Sequence, residues 1–147
     1  TAKRRIRDLI ETTGLIVFAP GSFYTSLLAN LLPTGVTESI CRNPRAPRVW
    51  IPNLGVDPEQ LGMTTEDALH TLLQTLAHST PGATIPQRVS HVLVDAHSVY
   101  AGGIPTGRLK ALGIGLLTAP LTDESPDRYC PEKLSAALIA LATATPT

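Results

Sequence analysis

Apolar positions along this chain follow two rhythms, and the switch between them is sharpest near the start. Residues Leu15-Ile-Val-Phe-Ala19 form an unbroken apolar run that stops at Pro20-Gly21. An apolar-rich segment with helical spacing begins at once and continues to Leu32. A run apolar on both faces is the pattern of a buried parallel strand, and the abrupt change of period marks a tight turn into a helix. The spacing predicts strand 15–19 and helix 23–32, the latter stopped by Pro33 and Gly35. Before it, residues 2–13 read as a helix ended near Gly14; after it, Val36 to Arg42 reads as a short helix that ends before Pro44.

The same alternation runs through the rest of the chain. Arg48 to Pro52 reads as a second strand, and Asn53 to Met63 as a loop rich in Gly, Asp and Pro. Thr64-Thr-Glu-Asp67 combines a hydroxyl cap with an acidic first turn, then places Ala68, Leu69, Leu72, Leu73 and Leu76 on one helix face. Ser79 to Gln87 reads as a loop, Val89 to Ala96 as a third strand and Tyr100 to Gly107 as an irregular Gly/Pro-rich segment. Leu109 to Leu112 is a helical turn before Gly113, and Ile114 to Ala119 a fourth strand. Pro131 opens a last helix, Glu132 to Ala142, with a frayed tail from Thr143. Strands alternating with helices predict a single α/β domain over 1–147, built on a mostly parallel sheet.

In such sheets ligands bind at the carboxyl ends of the strands. Segments 20–26, 53–63 and 97–107 all fall there, on one edge. In the first, Gly21 would let backbone approach a ligand, the helix start would offer at least two free N–H groups to an anion, and Ser22, Thr25 and Ser26 would add hydroxyls. The competing reading makes Ser22 only a helix cap. No GxGxxG, GxxxxGK[ST] or GxSxG pattern follows any strand, so dinucleotide, nucleoside triphosphate and serine hydrolase chemistry lack their signatures.

Composition narrows the classes. The chain has 147 residues, 43% of them apolar and 16% charged, with zero net charge. That describes a globular domain with no electrostatic support for nucleic acid or a membrane surface as partner. The basic start, Lys3-Arg4-Arg5-Arg7, is followed by Asp8 and Glu11 at helical spacing and reads as a solvated face. No apolar run is long enough to cross a membrane and no signal-peptide pattern opens the sequence, so a cytoplasmic setting is expected. Cys41 and Cys130 are isolated and read as two unpaired buried thiols, with a disulfide as the alternative. His70, His78, His91 and His97 lack ligand spacing, and no metal site is expected; His70 and His78 read as surface residues.

Ala19-Pro-Gly-Ser-Phe-Tyr-Thr-Ser26, with Asn30-Leu-Leu32 behind it, resembles the G-P-G-S-L-Y-T-S…P-N-L-L signature of the 2-phospho-L-lactate transferase (CofD)-like family, in its bacterial YvcK or gluconeogenesis-factor branch. Val49-Trp-Ile-Pro-Asn53 resembles that family's strand ending in Asn, and Pro58 to Thr64 a shortened form of its P-G-E-T-x-G-Y-T loop. Arg108 to Gly113 and Arg128 to Leu134 resemble its closing R-L-x-x-L-G…R-H-D-P-x-K-L segment. Ala19 departs from the family's first Gly, and Gly55 to Gln60 from its Thr-rich loop. The family opens with a G-G-G-T-G strand-turn that this sequence lacks, so the resemblance makes the chain the second half of such a domain.

The resemblance implies a Rossmann-like three-layer α/β/α fold, part of a larger sheet, and a cleft for a nucleotide-linked phosphorylated ligand. In the bacterial branch that ligand is a UDP-sugar, bound by a regulator of carbon metabolism and cell-wall synthesis. The transferase branch instead moves a phospholactyl group from a GDP-linked donor, with magnesium. Carried over by position, Pro20, Gly21, Ser22, Thr25 and Ser26 would line the phosphate side, and Tyr24 would stack on a ring or pack in the core. Asn53 would hydrogen-bond a sugar or base edge, or close an Asx-turn. Tyr100 would be ligand-side, and Arg128 would meet phosphate or pair with Asp127 or Glu132. No catalytic residue is assigned: Asp57, Glu59 and Asp95 lie near the edge without forming a paired carboxylate motif. No cofactor is expected in this chain, unless magnesium accompanies transfer. A third reading is a structural or oligomerisation module. Under any of these readings the Ile6, Leu9 and Ile10 stripe and an uncovered strand edge are expected to drive pairing with a second copy, a homo-oligomer, or with an N-terminal half.

Overall fold

The computed structural model describes residues 3–55 and 57–144. Strands β1 (Ile16–Phe18), β2 (Arg48–Trp50), β3 (His91–Asp95) and β4 (Gly115–Ala119) form one sheet in the order β1-β2-β3-β4. Ile16 pairs with Arg48, Trp50 with Val92 and Asp95 with Ala119, all in parallel, so every carboxyl end opens on one edge. The helices are α1 (Arg4–Thr12), α2 (Val36–Arg42), α3 (Thr65–His78), α4 (Ile85–Arg88), α5 (Thr106–Leu112) and α6 (Pro131–Ala144). The α/β layer structure read from the sequence is present, with each strand shorter than the apolar run that marked it.

Alternation along the strands builds two cores. Phe18, Trp50, Val92 and Val94 pack with Leu69, Leu72 and Leu76 of α3 and Leu109 of α5. Val49, Ile51 and Leu93 point the other way, against Leu134, Leu138 and Leu141 of α6. Helices on both faces of a parallel sheet give the three-layer arrangement. Helix α3 starts where the sequence marks it, because Thr64 Oγ1 accepts the Asp67 N–H at 3.1 Å while the Asp67 carboxylate accepts the Thr64 N–H at 3.0 Å.

Four readings change. The expected helix 23–32 is a π-helical turn, Phe23–Leu27, running into a 3₁₀ turn, Leu28–Leu31. The buried positions explain it: Phe23, Leu28 and Leu31 are five and then three residues apart, which suits a wide turn followed by a tight one and no α-helical face. The loop expected over 79–87 contains the start of α4, which Thr84 and Gln87 cap reciprocally. Helix α5 begins at Thr106, inside the segment read as irregular. Cys41 and Cys130 are free thiols but only half-buried. Helix α1 buries no residue, and Ile6 and Leu9 of its apolar stripe stand open. The expected helix start at residue 2 lies outside the described residues, as do Val56 and the end of the tail beyond 144.

Candidate functional site

The carboxyl edge is assembled from the loops that leave each strand. After β1 the chain turns through Gly21, whose φ of +149° strains any residue with a side chain on torsional grounds alone, because an added Cβ would meet nothing closer than Ser26 Cβ at 3.7 Å and so would not clash. The Asn53 side chain grips this glycine twice, its Oδ1 accepting the Gly21 N–H and its Nδ2 donating to the Gly21 carbonyl, both at 2.7 Å. Asn53 thereby extends the pairing of β1 with β2 by one side chain beyond the last backbone bond, Ile51 N–H to the Phe18 carbonyl.

The N–H groups expected to be free are occupied. Phe23 donates to Asp57 Oδ2 at 3.0 Å, and Tyr24 and Thr25 both donate to Glu59 Oε1, at 2.9 and 3.0 Å. The Thr25 hydroxyl adds a bond to Glu59 Oε2 at 3.1 Å. These carboxylates come from a 3₁₀ turn, Pro58–Gln60, which Asp57 caps through the Glu59 N–H. Read as plain loop in the sequence, that turn is what brings two anions onto the start of the 23–31 segment. The loop is an anion acceptor whose anion is the chain's own.

Beside it lies an open cleft of about 360 Å³ between the loops that follow β2 and β3. Trp50, Pro52 and Met63 give it apolar wall, while Asn53, Asp57 and Gln60 supply polar groups. Ser22, Tyr24, Thr25 and Ser26 are exposed on the neighbouring loop; the Tyr24 ring meets Phe23 edge-on with centroids 5.3 Å apart. Pro20 is half-buried. Arg128 is exposed and makes no ion pair among the described residues, so neither Asp127 nor Glu132 holds it. Its neighbour Asp127 backs onto Gly55.

Tyr100 is placed differently from a ligand-side residue. It is buried, and its hydroxyl bonds the Asp95 N–H at 2.8 Å and the Tyr129 hydroxyl at 2.9 Å. Asp95, at the end of β3, is itself 3% exposed and accepts from Leu121, Thr122, His97 and Ser98 N–H groups and the Ser98 hydroxyl. Burial alone would raise its carboxyl, but those hydrogen bonds outweigh it and hold the group well below the usual carboxylate range. Tyr129 was not singled out by sequence reasoning; the one available signal was its place beside Arg128 in the closing motif. The sequence places Asp57 and Glu59 near the edge, but their acceptor role, and the place of Gln60 in the cleft, depend on the 3₁₀ turn.

Among the described residues no group of three or more His, Cys, Asp or Glu side chains is placed to hold a metal ion. Asp57 and Glu59, the carboxylates nearest the loop, direct oxygens at backbone N–H donors.

Comparison with known proteins places this edge in a family. A family model described as 2-phospho-L-lactate transferase CofD matches residues 1–107, which include β1, β2, β3 and every loop residue just described except those near 121–129. The chain belongs to the CofD family. Among its CofD-like relatives is the gluconeogenesis factor of Halalkalibacterium halodurans, 29% identical over 150 residues, with 90% of this chain and 43% of that protein covered. The gluconeogenesis factor of Bacillus subtilis is 40% identical over 68 residues, covering 46% of this chain and 21% of the relative. A crystal structure of a UPF0052-family protein from Bacillus halodurans superposes with a TM-score of 0.75 at 26% identity, over 93% of this chain and 46% of that one. The chain thus spans less than half the length of these relatives.

Proposed function

We propose that this CofD-family chain forms the phosphate-facing edge of a site for a nucleotide-linked phosphorylated ligand, UDP-sugar-like in class. In this reading the ligand is bound without being transformed, by a cytoplasmic regulator of carbon metabolism and cell-wall synthesis. One observation carries the reading: three successive N–H donors, from Phe23, Tyr24 and Thr25, converge with the Thr25 hydroxyl on carboxylate oxygens at the carboxyl edge of a parallel sheet. Donors so arranged favour any anion of suitable shape. A ligand phosphate would take the place of Glu59, while the adjoining cleft with its Asn53, Asp57 and Gln60 groups would receive hydroxyl-bearing parts of the ligand. The names of the gluconeogenesis-factor relatives support the regulatory setting.

Calorimetric titration with UDP-N-acetylglucosamine and UDP-glucose tests the reading. Because Glu59 competes for the same donors, Glu59→Ala is expected to bind about tenfold more tightly than the unaltered chain, roughly 1.4 kcal/mol. Absence of saturable heat from both proteins would overturn it, as would weaker binding by the variant. The family model's description favours a second reading, transfer of a phospholactyl group from a GDP-linked donor. Phosphorus NMR of a GDP-linked donor with acceptor and magnesium separates the two, since binding alone leaves the donor resonances at full intensity.

A further inference from the structure

A continuous set of hydrogen bonds runs under the carboxyl edge and touches the end of every strand. It starts at the Asp95 N–H, which can only donate, and passes to the Tyr100 hydroxyl at 2.8 Å. Tyr100 and Tyr129 hydroxyls lie 2.9 Å apart, and Tyr129 reaches the Pro52 carbonyl at 2.5 Å. A carbonyl can only accept, so Tyr129 donates to Pro52 and accepts from Tyr100, and the direction of every proton is fixed. Burial pushes both phenols up, so both keep the proton this arrangement needs.

The far end of this chain of bonds is where the candidate site begins. Pro52 has its φ locked by its ring. With its carbonyl held by Tyr129, the plane of the Pro52–Asn53 peptide is held too, which places the Asn53 Cα. The Asn53 amide then grips Gly21 on both sides. At the near end, Asp95 ties the loop after β3 through His97 and Ser98, and the loop after β4 through Leu121 and Thr122.

We propose that Tyr129 and Tyr100, anchored on Asp95, are positioning residues that set the Asn53 clamp and through it the anion-accepting loop at Gly21. The proposal rests on the reading of that loop as the ligand's phosphate side, and its test separates the two. Tyr129→Phe removes one oxygen and keeps the ring that packs with Leu121 and α6. Leu138→Ala, in the same core but without a polar group, is the control for lost stability alone.

In ¹⁵N–¹H spectra of the unliganded chain, Tyr129→Phe is expected to shift the Gly21 backbone amide and the Asn53 side-chain amide, and Leu138→Ala to leave both in place. With UDP-N-acetylglucosamine, Tyr129→Phe is expected to lose about tenfold in affinity per folded molecule, while Leu138→Ala lowers the melting temperature without changing affinity. Tyr100→Phe combined with Tyr129→Phe should cost no more affinity than either alone, since each breaks the same path. Unmoved Gly21 and Asn53 resonances in Tyr129→Phe overturn the proposal whatever the ligand. So does unchanged affinity where binding is measurable. Shifted resonances with no binding by any variant support the positioning role and remove only the ligand reading.

Discussion

Asp95 shows how one buried charge can be tolerated at the end of an apolar strand. No ion pair to it is made among the described residues; its compensation is five hydrogen-bond donors from two loops. Asn at this position would turn an N–H₂ toward N–H groups, so Asp95→Asn is expected to cost about 3 kcal/mol in chemical denaturation at neutral pH. The pH dependence follows from the direction of its shift. An Asp held below its unfolded value of about 3.9 stabilises the fold fully above that pH and loses the contribution as pH falls further. The unaltered chain should therefore lose stability steeply between about pH 4 and 2, and Asp95→Asn, starting lower, should show a flatter acid limb. Gly21 offers a second single-residue test. Its φ of +149° leaves Gly21→Ala strained by about 1–3 kcal/mol, read as a lower melting temperature, although space for the methyl exists.

At the scale of elements, the sequence was legible wherever one local rule acted alone. Thr64 and Asp67 announce α3, and the capping box they form is there. Thr64→Ala should lower stability by about 1 kcal/mol in a thermal melt without altering the Gly21 amide resonance, because the cap lies outside the Asp95–Tyr129–Asn53 path. Legibility failed where two rules competed. Leu27, Leu28, Leu31 and Leu32 give a helical rhythm, but burying Phe23, Leu28 and Leu31 together needed a wide turn and a tight one. Asp57 and Glu59 read as loop carboxylates because their acceptor role depends on donors 34 and 35 residues earlier in the chain. Gly21 and Asn53 were both picked out as site residues, but their bond to each other was not visible until the strands were in register. Tyr100 is expected on the ligand side from its motif, but it is buried with its hydroxyl bonded to Tyr129.

The whole molecule is uneven in how its faces are covered. One side of the sheet carries α2, α3, α4 and α5, while α6 alone packs on the other among the described residues. Helix α1 packs only Ile10 of its apolar stripe on the core and leaves Ile6 and Leu9 open, with Leu9 60% exposed. Leu9→Ser is therefore expected to leave the unfolding free energy within about 0.5 kcal/mol of the unaltered chain's, whereas Leu72→Ala in α3 should cost about 2–5 kcal/mol. A calorimetric scan of both variants checks the contrast, and a large loss for Leu9→Ser would mean that its surface is covered in solution.

The strand order has a consequence for the order of events as the chain is made. Because β1, β2, β3 and β4 sit side by side in the order of synthesis, each new strand finds its neighbour already present, and the sheet can grow in one direction as the polypeptide emerges. The bond from Tyr129 to the Pro52 carbonyl joins residues 77 apart, and it can form only once the chain has been made past β4. A nascent chain released before residue 129 would hold four strands and leave the Asn53 peptide unset. Completion of the site is thus a late event, timed by a residue that belongs to no strand and lies just ahead of the final helix.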